Sequence, residues 1–147
     1  MSQPGSYAQP QYSEERLSNG IPVLFQPAEG TAAATYWWNR VGSVDEAALQ
    51  TGFAHFLEHM LFKDAGAKES GAPSTGQTAR AIESLGGEIN AYTSFEQTVY
   101  HVTCAEQYWE KIVSHFGKMA RPEKFLRTDF EREREVILEE LARSLDS

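Results

Sequence analysis

An apolar run, residues 53–62, carries two histidines and a glutamate inside the segment GFAHFLEHMLFK. His55 and His59 are four residues apart, so on an α-helix both imidazoles lie on one face, one turn apart. The large apolar side chains around them predict that this helix is buried on most sides. A buried helix tolerates three polar groups only when something satisfies them. The segment therefore predicts a helix over about residues 51–62 whose polar face meets a partner.

The polar face of this helix suits a divalent metal. Zinc binds imidazole nitrogen readily and can keep one coordination position open for water. Glu58 lies beside the same face, where its carboxylate can take a proton from a metal-activated water without being a ligand. The alternative is a surface helix with two satisfied histidines and a solvated glutamate, which the apolar flanks disfavour. We therefore predict His55 and His59 as metal ligands and Glu58 as the general base.

A catalytic zinc site usually has three protein ligands, so a further residue must complete this one. The candidates are Cys104, His101, His115 and an acidic segment near the C-terminus, FEREREVILEEL at residues 130–141. That segment is rich in strong helix formers and contains no Gly or Pro, which predicts a long helix. The third ligand is open at this point among these candidates.

The carboxylates of the acidic segment are expected to divide between two faces of the helix. Glu133 and Glu140 are seven residues apart, which is two turns, and Ile137 lies between them on the same side. This spacing suggests that both carboxylates turn inward, although spacing alone leaves Glu140 undecided as a ligand. The remaining glutamates are expected to be solvated among alternating charges. They are Glu131, Glu135 and Glu139.

Four stretches of the chain together resemble the pitrilysin family of zinc peptidases, which includes insulin-degrading enzyme and the mitochondrial processing peptidases. They are LSNGIPVL at 17–24, RVGSVDE at 40–46, GFAHFLEHMLFK at 52–63 and LGGEINAYTS at 85–94. The H-x-x-E-H order is the inverted form of the common zinc-peptidase motif and is typical of inverzincins. The resemblance extends from about residue 12 to the end, and several motifs in the family's order make it specific.

The resemblance implies one Zn²⁺ per chain and a glutamate as third ligand, seven residues after another glutamate. Glu140 and Glu133 match that pair, which makes Glu133 a carboxylate that tunes the site or orients a ligand. The span from His59 to Glu140 is longer than usual for the family, and residues 63–74 are rich in Gly, Ala and Ser, as in a loop insertion. Glu135 therefore stays the alternative ligand.

The stretch 90–94 looks like the family's substrate-side edge strand, so Asn90, Ala91, Tyr92 and Thr93 are expected to bind substrate. An exposed strand edge has unpaired N–H and C=O groups and can accept an extended peptide as one more strand. The amide of Asn90 is expected to contact a substrate carbonyl. The alternative is that Asn90 is a turn or core residue.

The function that this resemblance implies is zinc-dependent endopeptidase activity on peptides or unfolded protein segments. The alternative is a non-catalytic or incomplete subunit that binds zinc and peptide and needs a partner. Family members usually have a second, related half that supplies an Arg–Tyr pair to the substrate carbonyl, and we expect that half to be absent here. A third hypothesis is S-ribosylhomocysteine lyase, which uses the same motif with a cysteine ligand, here Cys104.

Composition and net charge limit the classes of partner that this chain can bind. The chain has 147 residues and a net charge of −8, which disfavours nucleic acids and anionic membrane surfaces. No run of 18 or more apolar residues and no signal peptide is visible. The compartment stays open, cytoplasmic or, after removal of a leader, periplasmic. We expect a polar tail at 1–11 and the N-terminal part of a peptidase domain at 12–147.

The predicted fold class is α+β, a mostly antiparallel sheet with helices packed on it. Asn19-Gly20 predicts a hairpin turn, and strands are expected over about 31–41, 88–95 and 98–104. Besides the helix with the motif, we expect helices from Ser74 to Leu85, from Ala105 to about Ala120, and along the acidic segment. The aromatic triplet Tyr36-Trp37-Trp38 and the single cysteine, Cys104, are interpreted as packing residues.

Overall fold

The computed structural model describes residues 11–63, 76–120 and 125–145. Its contacts divide the chain into two compact units, Met1–Gly30 and Thr31–Ser147. Three features of the sequence analysis lie outside the described residues, wholly or almost so. They are the polar tail at 1–11, the loop insertion at 63–74 and the helix start at Ser74.

The first unit contains the predicted hairpin. Strands β1 (Ser13–Arg16) and β2 (Pro22–Phe25) pair antiparallel, with Ser13 opposite Phe25 and Arg16 opposite Pro22. In the turn, Gly20 adopts the left-handed conformation with φ of 86°, which glycine enters without a steric penalty. The side-chain oxygen of Asn19 accepts a hydrogen bond from the Ile21 amide at 3.1 Å. The Asn-Gly signal thus specified this turn correctly.

The second unit is built on a three-stranded antiparallel sheet. Its strands are β3 (Ala32–Asn39), β4 (Glu88–Thr93) and β5 (Thr98–Ala105), in the order β3-β5-β4. Trp37 lies opposite Tyr100 on one side of β5, and Tyr92 lies opposite Val99 on the other. Both pairings are antiparallel, so the α+β prediction is confirmed.

Four helices accompany this sheet in the described residues. They are α1 (Phe53–Leu61), α2 (Gln77–Ser84), α3 (Trp109–Met119) and α4 (Arg127–Leu145). The helix predicted from Ala105 begins later, because Glu106–Tyr108 forms a 3₁₀ turn first. Within the described residues α2 begins at Gln77, after a left-handed Gly76.

The core lies between the sheet and α2 and α3. Its most buried members include Ile82, Tyr100, Val102 and Ile112, and Cys104 is also buried there. Gly87 allows the close approach, since a Cβ at that position would lie 2.7 Å from Ile82 Cγ2. The prediction that Cys104 is a packing residue is therefore confirmed.

The burial predicted for the apolar residues of the motif helix was wrong in part. Helix α1 buries Met60 and Leu61 but leaves Phe53 and Leu57 exposed, because among the described residues only one face of the helix is covered. The prediction that the aromatic triplet packs on the sheet is confirmed. Trp37 stacks on Tyr100 with ring centroids 5.0 Å apart, and Tyr36, on the opposite face, stacks on His101 at 5.5 Å.

Strand β4 is an edge of the sheet in the part of the chain that the structure describes. The Ser94 amide donates to the Gln97 carbonyl at 2.8 Å where the hairpin closes. Antiparallel pairs alternate between hydrogen-bonded and non-hydrogen-bonded, so Tyr92 and Asn90 direct their backbone groups at β5. The backbone groups of Ala91 and Thr93 consequently face the open edge.

Candidate metal centre

The N-terminus of α1 is held by a carboxylate from the preceding loop. Glu46 accepts the Gly52 amide at 2.6 Å with one oxygen and the Ala54 amide at 2.7 Å with the other. These amides belong to the helix start, where N–H groups lack intrahelical partners and negative charge is stabilised by the helix dipole. Glu46 therefore fixes where α1 begins, two residues before His55.

His55, His59 and Glu140 meet at one point between α1 and α4. The Nε2 atoms of the two histidines are 3.1 Å apart, and Glu140 Oε2 lies 3.9 Å from the first and 3.8 Å from the second. The two helices also pack through Phe56 of α1 and Phe130 of α4, whose ring centroids are 4.6 Å apart. The donor atoms of the three residues all lie within 4.8 Å of one another.

This donor set fits zinc. A tetrahedral zinc with bond lengths of 2.0–2.1 Å separates its ligand atoms by roughly 3.3 Å. The three measured separations bracket that value, so small side-chain shifts bring all three atoms to bonding distance. The side chains of His55 and Glu140 are 40% and 42% exposed, which leaves the site open to water on that side.

The second histidine is held from behind by an ion-pair network. His59 Nδ1 lies 2.8 Å from Glu133 Oε1, and Lys63 Nζ lies 2.8 Å from Glu133 Oε2. A carboxylate can only accept, so Nδ1 carries the proton and the Nε2 lone pair faces Glu140. Burial alone would raise the pKa of Glu133, but hydrogen bonds from Lys63 and His59 and the positive charge of Lys63 outweigh it and lower that pKa.

Glu58 is buried beside the two histidines and is held by the edge strand. Thr93 Oγ1 donates a hydrogen bond to Glu58 Oε2 at 2.5 Å. Tyr100 packs in the same region, and burial together with the negative charge of Glu58 raises the pKa of its hydroxyl. Among the described residues, no hydrogen bond to the other oxygen of Glu58 is found.

Of the other residues proposed as the third ligand, the structure brings none to the histidines. Glu135 is exposed and pairs with Arg134 at 2.9 Å, and Glu139 pairs with Arg143 at 3.5 Å. Cys104 lies in the core, and His101 stacks on Tyr36 with ring centroids 5.5 Å apart. The one His/Glu cluster with metal-binding geometry found among the described residues therefore contains Glu140.

The four residues predicted to bind substrate all lie on β4, but their side chains point in two directions. Asn90 and Tyr92 are exposed on the outer face, while Ala91 and Thr93 are half-buried on the inner face. Asn90 Oδ1 accepts the Ala91 amide at 2.8 Å, at the open edge. Thr93 contacts Glu58, so the end of the edge strand lies beside the predicted general base.

Sequence reasoning missed three contacts at this site. Glu46 carries no cap signal, because it acts from six residues before Gly52. Lys63 follows an apolar run and gives no sign of its partner, Glu133, which lies in a different helix. Thr93 was predicted to bind substrate because it lies on β4. It is 35 residues from Glu58 in the sequence, so no local pattern indicates their contact.

A helix with two histidines and a general base, completed by a glutamate from a later helix, is typical of metallopeptidases with the inverted H-x-x-E-H signature. The family model for Insulinase (Peptidase family M16) matches residues 23–146, and the chain belongs to that family. The family-level prediction made from the motifs is thus confirmed.

Individual relatives agree with this assignment. The chain is 36% identical over 124 residues to the mitochondrial-processing peptidase subunit beta of Dictyostelium discoideum, covering 84% of this chain and 26% of the relative. It is 36% identical over 128 residues to an uncharacterized zinc protease of Mycobacterium leprae, covering 86% of this chain and 27% of that protein. The chain therefore spans about a quarter of the length of these relatives.

Solved structures show the same fold. A protease from Helicobacter pylori superimposes with a TM-score of 0.79 at 28% identity, covering 90% of this chain and 31% of that one. Pitrilysin superimposes with a TM-score of 0.78 at 24% identity, covering 97% of this chain and 15% of its own. In the described residues, none of the helices has both the length and the apolar character needed to cross a membrane.

Proposed function

We propose that this chain provides the zinc site and general base of an endopeptidase that cleaves peptides or unfolded protein segments. The observation that carries the proposal is the contact between Thr93 and Glu58. It joins the open edge strand, where an extended peptide can bind, to a carboxylate beside three converging metal donors. A peptide bound along this edge would therefore lie next to Glu58 and the metal donors.

His55, His59 and Glu140 are the residues that would hold zinc. When bound there, zinc supplies Lewis acidity toward water and toward the peptide carbonyl. Glu58 accepts the proton of the attacking water and later gives it to the leaving amine. Glu133 keeps His59 in the tautomer whose Nε2 faces Glu140, which is the orientation a ligand needs.

The substrate is proposed to add to β4 as a further strand. The outward backbone groups of Ala91 and Thr93 would pair with the peptide, because those of Tyr92 are directed at β5. Asn90 Oδ1 occupies the Ala91 amide, so a bound peptide would have to take that position over. The side-chain amide of Asn90 would then be free to contact a substrate carbonyl. Backbone pairing is largely indifferent to side chains and suits varied peptides.

Activity is proposed to require more protein than this chain. The side chains of His55 and Glu140 are about two-fifths exposed, and one relative is named as a subunit. A second half of the family architecture, or a partner subunit, would cover the open side and contact the substrate carbonyl. The same exposure favours a second candidate function, a subunit that binds zinc and peptide and is inactive alone.

The direct test is Glu58→Gln in the full-length protein, measured with and without the partner. The variant should bind zinc in the same ratio as the parent and lose cleavage by about 10²–10⁴-fold, as expected for a general base. Glu139→Gln, a change on the solvated face, serves as the matched control and should cleave normally. Parental cleavage by Glu58→Gln would disprove its proposed role.

Two further measurements separate the alternatives. A parent that binds zinc and peptide yet cleaves nothing, even with its partner, would identify a non-catalytic subunit. The lyase hypothesis requires a sulphur ligand, and Cys104 is in the core. Cys104→Ala should therefore keep its zinc, whereas loss of zinc on this change would revive the cysteine-ligand hypothesis.

A further inference from the structure

Thr93 makes a contact that its expected place in the substrate-binding strand does not explain. Its hydroxyl donates to Glu58 Oε2 at 2.5 Å, and among the described residues no other hydrogen bond to this carboxylate is found. Glu58 is 9% exposed, so most of its side chain is removed from water. Its orientation consequently depends on one hydroxyl from the edge strand.

Thr93 is itself held by its neighbours. It ends β4 opposite Thr98, with the two hydroxyl oxygens 3.5 Å apart. Thr98 is buried and donates its own proton to the Val41 carbonyl at 3.0 Å, so it can only accept from Thr93. Because an ionised carboxylate is the stronger acceptor, the single Thr93 proton is directed at Glu58.

The chemistry of threonine suits this position. A β-branched side chain on a strand has few χ1 choices, so the hydroxyl has a fixed place relative to β4. One oxygen of Glu58 is then occupied and the other is left for the attacking water. A rotation of this carboxylate would move the proton acceptor away from the histidines.

We infer that Thr93 is a positioning residue, which orients Glu58 toward the water at the metal site and couples it to the strand that binds the peptide. This inference rests on the proposed function and adds to it. A peptide that pairs with the Thr93 backbone also steadies the residue that aims the general base. The simpler alternative is that Thr93 only satisfies a buried carboxylate and contributes to stability alone.

Two variants of the full-length protein distinguish these alternatives. Thr93→Val keeps the shape and removes the hydroxyl, and it should lower kcat on the order of 10–100-fold with KM unchanged, as a misplaced group does. Thr93→Ser restores the hydroxyl and should recover most of kcat. Thr103→Val, the same change on β5 at a half-buried position, is the matched control and should behave as the parent.

A readout that does not need turnover accompanies the kinetics. A peptide hydroxamate binds zinc and donates a proton to the neighbouring carboxylate, so its affinity reports the orientation of Glu58. Thr93→Val should weaken hydroxamate binding at least about tenfold, the lower end of what one hydrogen bond to a charged group contributes. Zinc affinity, measured by chelator competition, should stay within about twofold of the parent.

The outcomes are separable. Thr93→Val with parental kcat and hydroxamate affinity would overturn the positioning role, as would equal losses in the serine and valine variants. A loss of zinc affinity that matches the loss of kcat would also overturn it. If the parent cleaves and Glu58→Gln does not, the proposed function stands whatever Thr93 does. If the parent fails to cleave, the hydroxamate comparison still decides the role of Thr93.

Discussion

The two histidines of the motif occupy different environments although they lie one turn apart on the same helix. His59 is 18% exposed, and its second ring nitrogen is bound by Glu133, which Lys63 holds in turn. His55 is 40% exposed, and no described residue hydrogen-bonds its second ring nitrogen. One half of the candidate site is thus held in place by neighbouring residues, and the other half is accessible.

This difference suits a hydrolytic centre. A fixed ligand lowers the entropy cost of binding metal, and an accessible one leaves room for water and substrate. Glu140 belongs to the accessible half and Glu133 to the fixed half, although both project from one face of α4. Variants of these residues should therefore have graded effects on zinc affinity.

The largest effect is expected from Glu140→Gln. It removes a charged ligand, so zinc affinity should fall by more than about 100-fold, beyond the range typical for residues that only hold a ligand. Glu135→Gln is the matched control on the same helix and should stay within about twofold. Chelator competition measures both. A greater loss in Glu135→Gln than in Glu140→Gln would transfer the ligand role to Glu135.

A smaller effect is expected from Glu133→Gln. The glutamine amide lacks the negative charge that accepts hydrogen bonds from His59 and Lys63. The tautomer of His59 with its proton on Nδ1 is therefore less strongly favoured. Zinc affinity should fall by about 10–100-fold, as for other residues that orient a metal ligand. Unchanged affinity would show that the fixed half of the site contributes nothing to metal binding.

Lys63→Met should have a smaller effect again. Lys63 is one-third exposed, so water replaces part of its interaction with Glu133. We expect a loss of zinc affinity of no more than about tenfold, at the lower limit for such partners. Lys63→Arg keeps the charge and should recover most of it. Equal losses in the two variants would mean that the lysine acts through its shape instead of its charge.

The smallest effect concerns acid stability without metal. The lowered pKa of Glu133 means that its ionised form stabilises the folded state. This contribution is present above the carboxyl's ordinary pKa of 4.5 and is lost as pH falls through the lower folded value. Thermal unfolding of the zinc-free parent and of Glu133→Gln should therefore differ in Tm near neutral pH and converge in acid. A Tm difference that grows in acid would contradict this.

The sequence specified those parts of the site that depend on spacing along one helix. His55 and His59 four apart, and Glu133 and Glu140 seven apart around Ile137, could be placed on common faces without coordinates. The Asn19-Gly20 turn and the antiparallel strands followed from equally local signals. In each of these cases one element determines the geometry by itself.

The remaining features depend on how elements meet. Glu46 caps α1 through the path of a loop, and Thr93 reaches Glu58 only because β4 packs beside α1. The exposure of Phe53 and Leu57 was missed for the same reason, since an apolar residue is buried only where another element covers it. Local patterns do not carry this information.

The central claim is that His55, His59 and Glu140 together bind one zinc ion. Anomalous diffraction at the zinc absorption edge, from crystals grown with stoichiometric zinc, tests it most directly. We predict a single strong peak between the two Nε2 atoms and the Glu140 carboxylate, at bonding distance from all three. A peak bonded to Cys104 or Glu135, or none at the histidines, would contradict the account.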